Sequence, residues 1–198
     1  MQSKDMTGIH IRGHIKIFDP ITNEIFQDKS NAIHYENMSI ALAESIANNS
    51  QGVIHSMAFG NGGTAIDPTG IITYLTPNSS GTNASLYNQT YTKVVDANST
   101  TNVDPTRNFI ETRHVTGTNY TDVFVTCLLD YGEPSGQSAY DVTANNESAY
   151  VFDELGLVSS SGLLLTHVMF HSVQKSLNRL IQIDYTVRIQ SLTGLAGV

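Results

Sequence analysis

A chain of 198 residues with 18 acidic and 10 basic side chains carries a net charge of -8, which excludes the basic stripe that nonspecific binding to nucleic acid requires. The single cysteine, Cys127, excludes an internal disulfide and a zinc ribbon, and no apolar run approaches the roughly 18 residues of a membrane span. Met1-Gln2-Ser3-Lys4-Asp5 lacks the charged-then-apolar pattern of a secretion signal, so the expectation is one substantial domain, 1–198, made in a cytoplasm.

Ile9, Ile11, Ile15 and Ile17 alternate with His10, Arg12, His14 and Lys16, a period of two that predicts a half-buried strand. Gly13 inside it predicts a bulge or a close backbone approach. Asp19-Pro20-Ile21-Thr22-Asn23 supplies turn chemistry, and 24–28 is read as the return strand of a hairpin. An amphipathic helix follows over 35–48, where Tyr35, Met38, Leu42 and Ile46 recur at spacings of three and four and share one face. Asn31 or Asn37 is the expected cap. A buried strand over 53–59 then leads into the glycine turn Gly60, Asn61, Gly62, Gly63, at which at least one glycine is expected to take a positive φ.

Further strands are expected over 71–75, 86–96, 109–115, 122–131, 150–158 and 163–173. The last strand is the clearest: Ile181, Ile183, Tyr185, Val187 and Ile189 alternate with Gln182, Asp184, Thr186, Arg188 and Gln190, and are expected to share a core with the first hairpin. Residues 191–198 read as a frayed or partner-docking tail. Nine or ten strands with turn signals between them and one helix define a mainly β chain, an antiparallel β-sandwich of jelly-roll or immunoglobulin-like type. The polar connections 76–85, 97–108 and 132–148 are long for a compact domain, and neighbouring copies are expected to hold them.

Each candidate for chemistry meets a physical objection. His167 and His171 have the spacing of a helical metal pair, but on a strand they stand roughly 13 Å apart, so no metal is expected. His10 and His14 read as solvated surface histidines. Gly60-Asn61-Gly62-Gly63-Thr64 could cradle a phosphate, yet it lacks the Gly-Lys-Ser/Thr of a P-loop and is read as a structural turn. Asp130, Glu133, Asp153 and Glu154 are candidate paired carboxylates of the kind glycosidases use, a pairing that chance supplies in a β-protein of this size. Cys127 lies in the apolar run 123–129 and reads as a small buried hydrophobe. No catalytic residue and no cofactor is expected, and the absence of tryptophan weakens a sugar-stacking reading.

The run Ile15-Lys16-Ile17-Phe18-Asp19-Pro20-Ile21-Thr22-Asn23-Glu24, then Asn31-Ala32-Ile33, the helix, and Ile54-His55-Ser56-Met57-Ala58-Phe59-Gly60-Asn61-Gly62-Gly63-Thr64 resemble virion structural proteins of tailed bacteriophages. The likeness covers about the first third of the chain, and the segments 129–134 and 152–157 are consistent with it. It implies a component of a symmetric neck, collar, tail or baseplate whose partners are copies of itself and other virion proteins, with no direct contact to nucleic acid or membrane. A capsid decoration protein is the near alternative. A carbohydrate-binding domain of a phage fibre is the alternative from another class.

Overall fold

The computed structural model describes residues 7–81, 84–135, 151–176 and 178–193. In chain order these form β1 (Thr7–Phe18), β2 (Ile25–Ile33), α1 (Tyr35–Ile46), β3 (Ile54–Gly60), β4 (Thr64–Ile66), β5 (Ile72–Tyr74), β6 (Gln89–Val94), β7 (Phe109–His114), β8 (Tyr120–Leu129), β9 (Val151–Ser159), β10 (Thr166–Gln174) and β11 (Ile181–Thr193). Nine strands make one sheet in the order β6-β3-β9-β10-β2-β1-β11-β8-β7, while β4 and β5 form a separate hairpin. Every pairing is antiparallel.

The sheet curls where β10 meets β2, which pair only at Thr166–Ile33 and His167–Ala32. On one side of this thin join lie β2, β1, β11, β8 and β7; on the other lie β10, β9, β3 and β6. Ile17, Leu129, Ile181 and Ile183 from the first layer meet Phe59, Phe152, Leu155 and Phe170 from the second. The result is the expected mainly β, sandwich-like fold with one helix.

Alternation decides the central strands. Ile181, Ile183, Tyr185 and Val187 are buried, with Gln182, Asp184, Thr186 and Arg188 only partly so, and Ile183 sits beside Ile17 and Cys127 in register. β1 obeys the same rule as far as the core extends: Ile15 and Ile17 are buried, Ile11 partly, and Ile9 lies outside. Gly13 is a close approach, since a Cβ there would stand 1.8 Å from Asn31 Oδ1. At the hairpin turn Asp19 accepts from the amides of Ile21 and Thr22 at 2.8 and 3.2 Å, and Asn23 takes φ 60, a conformation Asn tolerates. β11 runs on to Thr193, paired to β1, so 191–193 is strand; 194–198 lies outside the described residues.

The helix differs from expectation in its cap and its face. His34 is the N-cap, its Nδ1 accepting from Asn37 N at 3.3 Å. Asn37 is instead buried inside the helix, donating to Leu164 O at 2.8 Å, and His34 N donates to Leu165 O at 2.9 Å. These bonds tie the first turn to the connection between β9 and β10. They set the helix rotation so that Asn37, Met38 and Ala41 face inward, while Tyr35 and Ile46 remain 74% and 85% exposed. Asn31 lies in β2 and caps nothing.

The described parts of the long connections make hydrogen bonds within the chain. In the 95–108 connection Asn102 donates to Asp96 O and Asn108 O, and Asn108 Oδ1 accepts from Leu128 N at 2.8 Å, so two buried asparagines anchor it beside the buried Val95. In 75–88, Asn78 N donates to His167 Nδ1 at 2.9 Å and Tyr87 OH to Thr76 O at 2.8 Å. Most of the 132–148 connection lies outside the described residues.

Truncating Ile183 or Val187 to alanine removes fully buried apolar volume from β11, and urea denaturation is expected to show losses of about 2–4 kcal/mol. Gln182→Ala and Thr186→Ala, on the other face, are expected to lose less than about 1 kcal/mol.

Candidate functional site

Among the described residues, buried Asp153, Glu154 and His167 converge where β3 ends. Phe152 and Leu155 both enter the core, so Asp153 and Glu154 between them break the alternation of β9, in step with a register shift against β10 between Met169 and Val173. Both acids are buried. A buried carboxylate needs donors on its oxygens, and the glycine turn supplies them. Gly63 N and Thr64 N donate to Asp153 at 2.8 and 3.1 Å, joined by the Thr64 hydroxyl. Gly62 N and Asn88 N donate to Glu154 Oε1 at 3.1 and 2.8 Å, and Tyr87 N donates to Oε2 at 2.9 Å.

His167 completes the arrangement. Its Nδ1 accepts from Asn78 N, so the proton of the neutral ring sits on Nε2, which donates to Glu154 Oε2 at 3.0 Å. The Tyr87 ring packs against the imidazole at 5.9 Å between centroids. Burial would raise the Glu154 carboxyl, but the bonds from His167 and from the amides of Asn88, Tyr87 and Gly62 outweigh it and hold the group below the ordinary range. For Asp153 burial wins over the bonds from Thr64 and Gly63, and the group lies above its ordinary range.

Gly60 closes β3, and Asn61, Gly62 and Gly63 connect it to β4 without the positive φ expected there. None of the three glycines has a positive φ; among the described residues those that do are Gly70, Gly81, Gly117, Gly132 and Gly162. Close approach is what demands glycine. A Cβ at Gly60 would stand 2.5 Å from both Asn88 O and Glu154 Oε1, one at Gly62 would stand 2.7 Å from Asn88 N, and one at Gly63 would stand 2.6 Å from Met169 Sδ. The turn has the amides of an anion cradle, and the anions it holds are the chain's own side chains.

The four acids read together in the sequence separate into two places. Asp130 and Glu133 belong to an ionic cluster beneath the 130–134 turn: Lys93 Nζ meets Glu133 Oε1 at 2.5 Å, Asp130 N donates to Glu133 Oε2 at 2.9 Å, and Arg107 bridges Asp104 and Asp130. Lys175 is buried nearby, and burial lowers its ammonium to about 8 despite the attraction of Glu133 and Asp130. Burial likewise pushes the Cys127 thiol far up, away from thiolate chemistry. His171 is exposed while His167 is buried, and His14 pairs with Asp28 at 2.8 Å on the wet face. Among the described residues no group of three or more histidine, cysteine or acidic side chains is placed to hold a metal ion, and no helix is long and apolar enough to cross a membrane.

Besides a polar concavity of about 420 Å³ lined by Arg12, His14, Asp122 and Arg188, three surfaces are open. A concavity of about 690 Å³ on the outside of β7, β8 and β11 is lined by Phe109, Arg113, Phe124, Gln182 and Asp184, but the Arg113 guanidinium lies 3.9 Å above Phe124 and covers the ring that a sugar would use. A second, more apolar cleft of about 430 Å³ lies between α1 and the β7-β8-β11 edge, lined by Met38, Leu42, Ile54, Ile110, Val123 and Ile189. The third is the β4–β5 hairpin, with Ile66, Ile71 and Tyr74 more than half exposed and Lys29 Nζ 5.9 Å from the centre of the Tyr74 ring. Compared with known protein families, with curated proteins and with solved structures, the chain matches none.

Sequence reading placed Asp153, Glu154 and the glycine turn separately and missed that they meet. It also missed His167 as their partner. The available signal was polar residues inside apolar runs: Asp153-Glu154 within 151–158, and His167 within 163–170. Such residues are buried with partners or sit on a wet face.

Glu154→Gln sets an NH2 group against N–H donors, and its expected cost is about 3 kcal/mol at neutral pH. Because the folded-state pKa of Glu154 is lowered, its stabilisation is present above the unfolded value of about 4.3 and is lost as the pH falls through the folded value. Urea titrations are expected to show the gap between wild type and Glu154→Gln narrowing below about pH 4. Gly60→Ala, which meets a backbone oxygen, is expected to lose about 1–3 kcal/mol. Millimolar phosphate is expected to leave the Tm of the wild type unchanged, since carboxylates already occupy the amides.

Proposed function

We propose that the chain is a structural component of a tailed-phage virion, building or decorating a symmetric neck, collar, tail or baseplate through protein–protein contacts. The observation that carries this reading is the distribution of polarity. Among the described residues, the buried Glu154, Asp153 and His167 are bound to the turn and to each other, and Lys93 is paired with Glu133. Meanwhile Ile66, Ile71 and Tyr74 stand on a hairpin in water.

An exposed apolar feature on a firm base is what an assembly contact requires, and an enzyme requires the reverse, reactive groups facing a cavity. The hairpin base is firm: Leu75 N donates to Gly63 O at 2.9 Å, and Asp153 holds Gly63 and Thr64. The tip is fixed by Asp67, whose Oδ1 accepts from Thr69 N and Ile71 N at 2.8 and 3.0 Å. The likeness of 15–24, 31–33 and 54–64 to tailed-phage virion proteins supplies the setting. A phage virion as the site of action and virion proteins as partners belong to this same proposal.

Mass spectrometry of purified phage particles from a host carrying the source genome, with antibody labelling in electron micrographs, tests the proposal. Detection at fixed, multiple-copy stoichiometry on one part of the particle is expected. Presence in the infected cell with absence from intact particles would refute it.

A further inference from the structure

We propose that the outer face of β1, β11, β8 and β7 binds an acidic saccharide chain, its carboxylates taken by arginine and its hydroxyls by the neutral side chains between. This goes beyond the assembly reading and does not depend on it. The chain has five arginines, and four line the two neighbouring concavities of this face: Arg12 and Arg188 that of about 420 Å³, Arg107 and Arg113 that of about 690 Å³. The concavities adjoin, since Asp122 and Thr186 line one, while Phe124 and Asp184, two residues away on the same strands, line the other.

Register places three of these arginines in one row across the sheet. Arg12 stands opposite Arg188, Arg188 opposite Asp122, and Asp122 opposite Arg113, a span of about 14 Å at ~4.8 Å per strand. Like charges directly opposite each other on neighbouring strands are destabilising, and of the pair Arg12 and Arg188 Asp122 binds only the second. Among the described residues Arg12 pairs with no carboxylate; it donates to the neutral Gln190 at 3.1 Å. An incoming anion relieves that repulsion.

The other two guanidiniums of the row are already posed. Arg188 lies 3.8 Å above the Tyr120 ring and Arg113 3.9 Å above Phe124, so aromatic faces hold both in place. Asp122 accepts from Nε and Nη2 of Arg188 at 2.7 and 2.8 Å, and Glu111 engages the same two nitrogens of Arg113, which leaves the Nη1 donors for a ligand. The guanidinium fork matches a planar carboxylate. Between the arginines lie Ser30, Thr126, Gln182 and Thr186, neutral donors and acceptors suited to sugar hydroxyls. An acidic peptide fits less well, because an extended peptide adds to an unpaired strand edge, and the row crosses β1, β11 and β8, each paired on both sides. A neutral sugar finds no bare ring at Phe124. A lone phosphate does not span the row, so single anions bind weakly and a chain gains from several contacts at once.

Isothermal titration calorimetry with hexagalacturonate at low ionic strength tests this. Binding is expected, weakening as salt is added, and about tenfold weaker in Arg12→Gln and in Arg113→Gln, both at exposed positions where the fold, checked by Tm, is kept. Arg179→Gln makes the same change in net charge at the one arginine outside both concavities and is expected to bind like the wild type. Neutral maltohexaose and millimolar phosphate are expected to give no measurable heat, and hexaglutamate to bind at least about tenfold more weakly than the saccharide. No binding of hexagalacturonate to the wild type at millimolar concentration would overturn the proposal. So would hexaglutamate binding as tightly, which would make the ligand an acidic peptide, or an equal loss in Arg179→Gln and Arg12→Gln, which would reduce the effect to overall charge. The assembly reading survives each of these results, since its test is the composition of the particle.

Discussion

Two adjacent carboxylates in the middle of a buried strand are the constraint from which the rest of this molecule follows. Asp153 and Glu154 are both buried, and seven donors converge on them to offset the desolvation. Those donors come from three separated segments: 62–64, 87–88 and His167. Closing the carboxylates therefore brings the end of β3, the entry to β6 and the start of β10 to one point. Glycine is required at 60, 62 and 63 because a side chain at any of them would hold the backbone away from the acids or from the segments packed around them. The β4–β5 hairpin, too short to persist alone, inherits a fixed pose from this closure.

The hydrophobic framework was legible and the polar framework was not. Period-two alternation in β1 and β11 led directly to paired strands with Ile15, Ile17, Ile183 and Tyr185 inside, because burial on one face leaves a sequence little freedom. Periodicity misjudged α1 for a specific reason. Tyr35 and Ile46 fit an apolar stripe, but His34 and Asn37 bind the backbone at Leu164 and Leu165, and those bonds turn the helix away from the stripe. The connections were misjudged similarly. Asn102 and Asn108 look like solvated loop residues in sequence, yet both are buried brackets for the 95–108 connection. An asparagine that bonds a distant carbonyl and one that bonds water are the same letter; only the tertiary arrangement separates them.

The turn shows how a local motif can be recognised and still be misattributed. Glycines flanking polar residues promise either unusual φ values or a bare backbone that can approach another group. Here the second holds, and the group approached is an internal anion. That exchange, a protein carboxylate where an enzyme would place a substrate phosphate, turns a potential binding loop into a rivet. The consequence reaches the surface: with its base riveted, the hairpin holds Ile66 and Tyr74 in a fixed pose while more than half exposed.

Native-state amide hydrogen exchange, resolved at Gly62, Gly63, Thr64, Tyr87 and Asn88, tests the central claim most directly. If the two buried carboxylates close this turn, these five amides exchange as slowly as those of β11 in the wild type, and those of Gly62, Tyr87 and Asn88 lose most of that protection in Glu154→Gln while β11 keeps its own. Rapid exchange at these amides in the wild type, at the rate of an open loop, would contradict it.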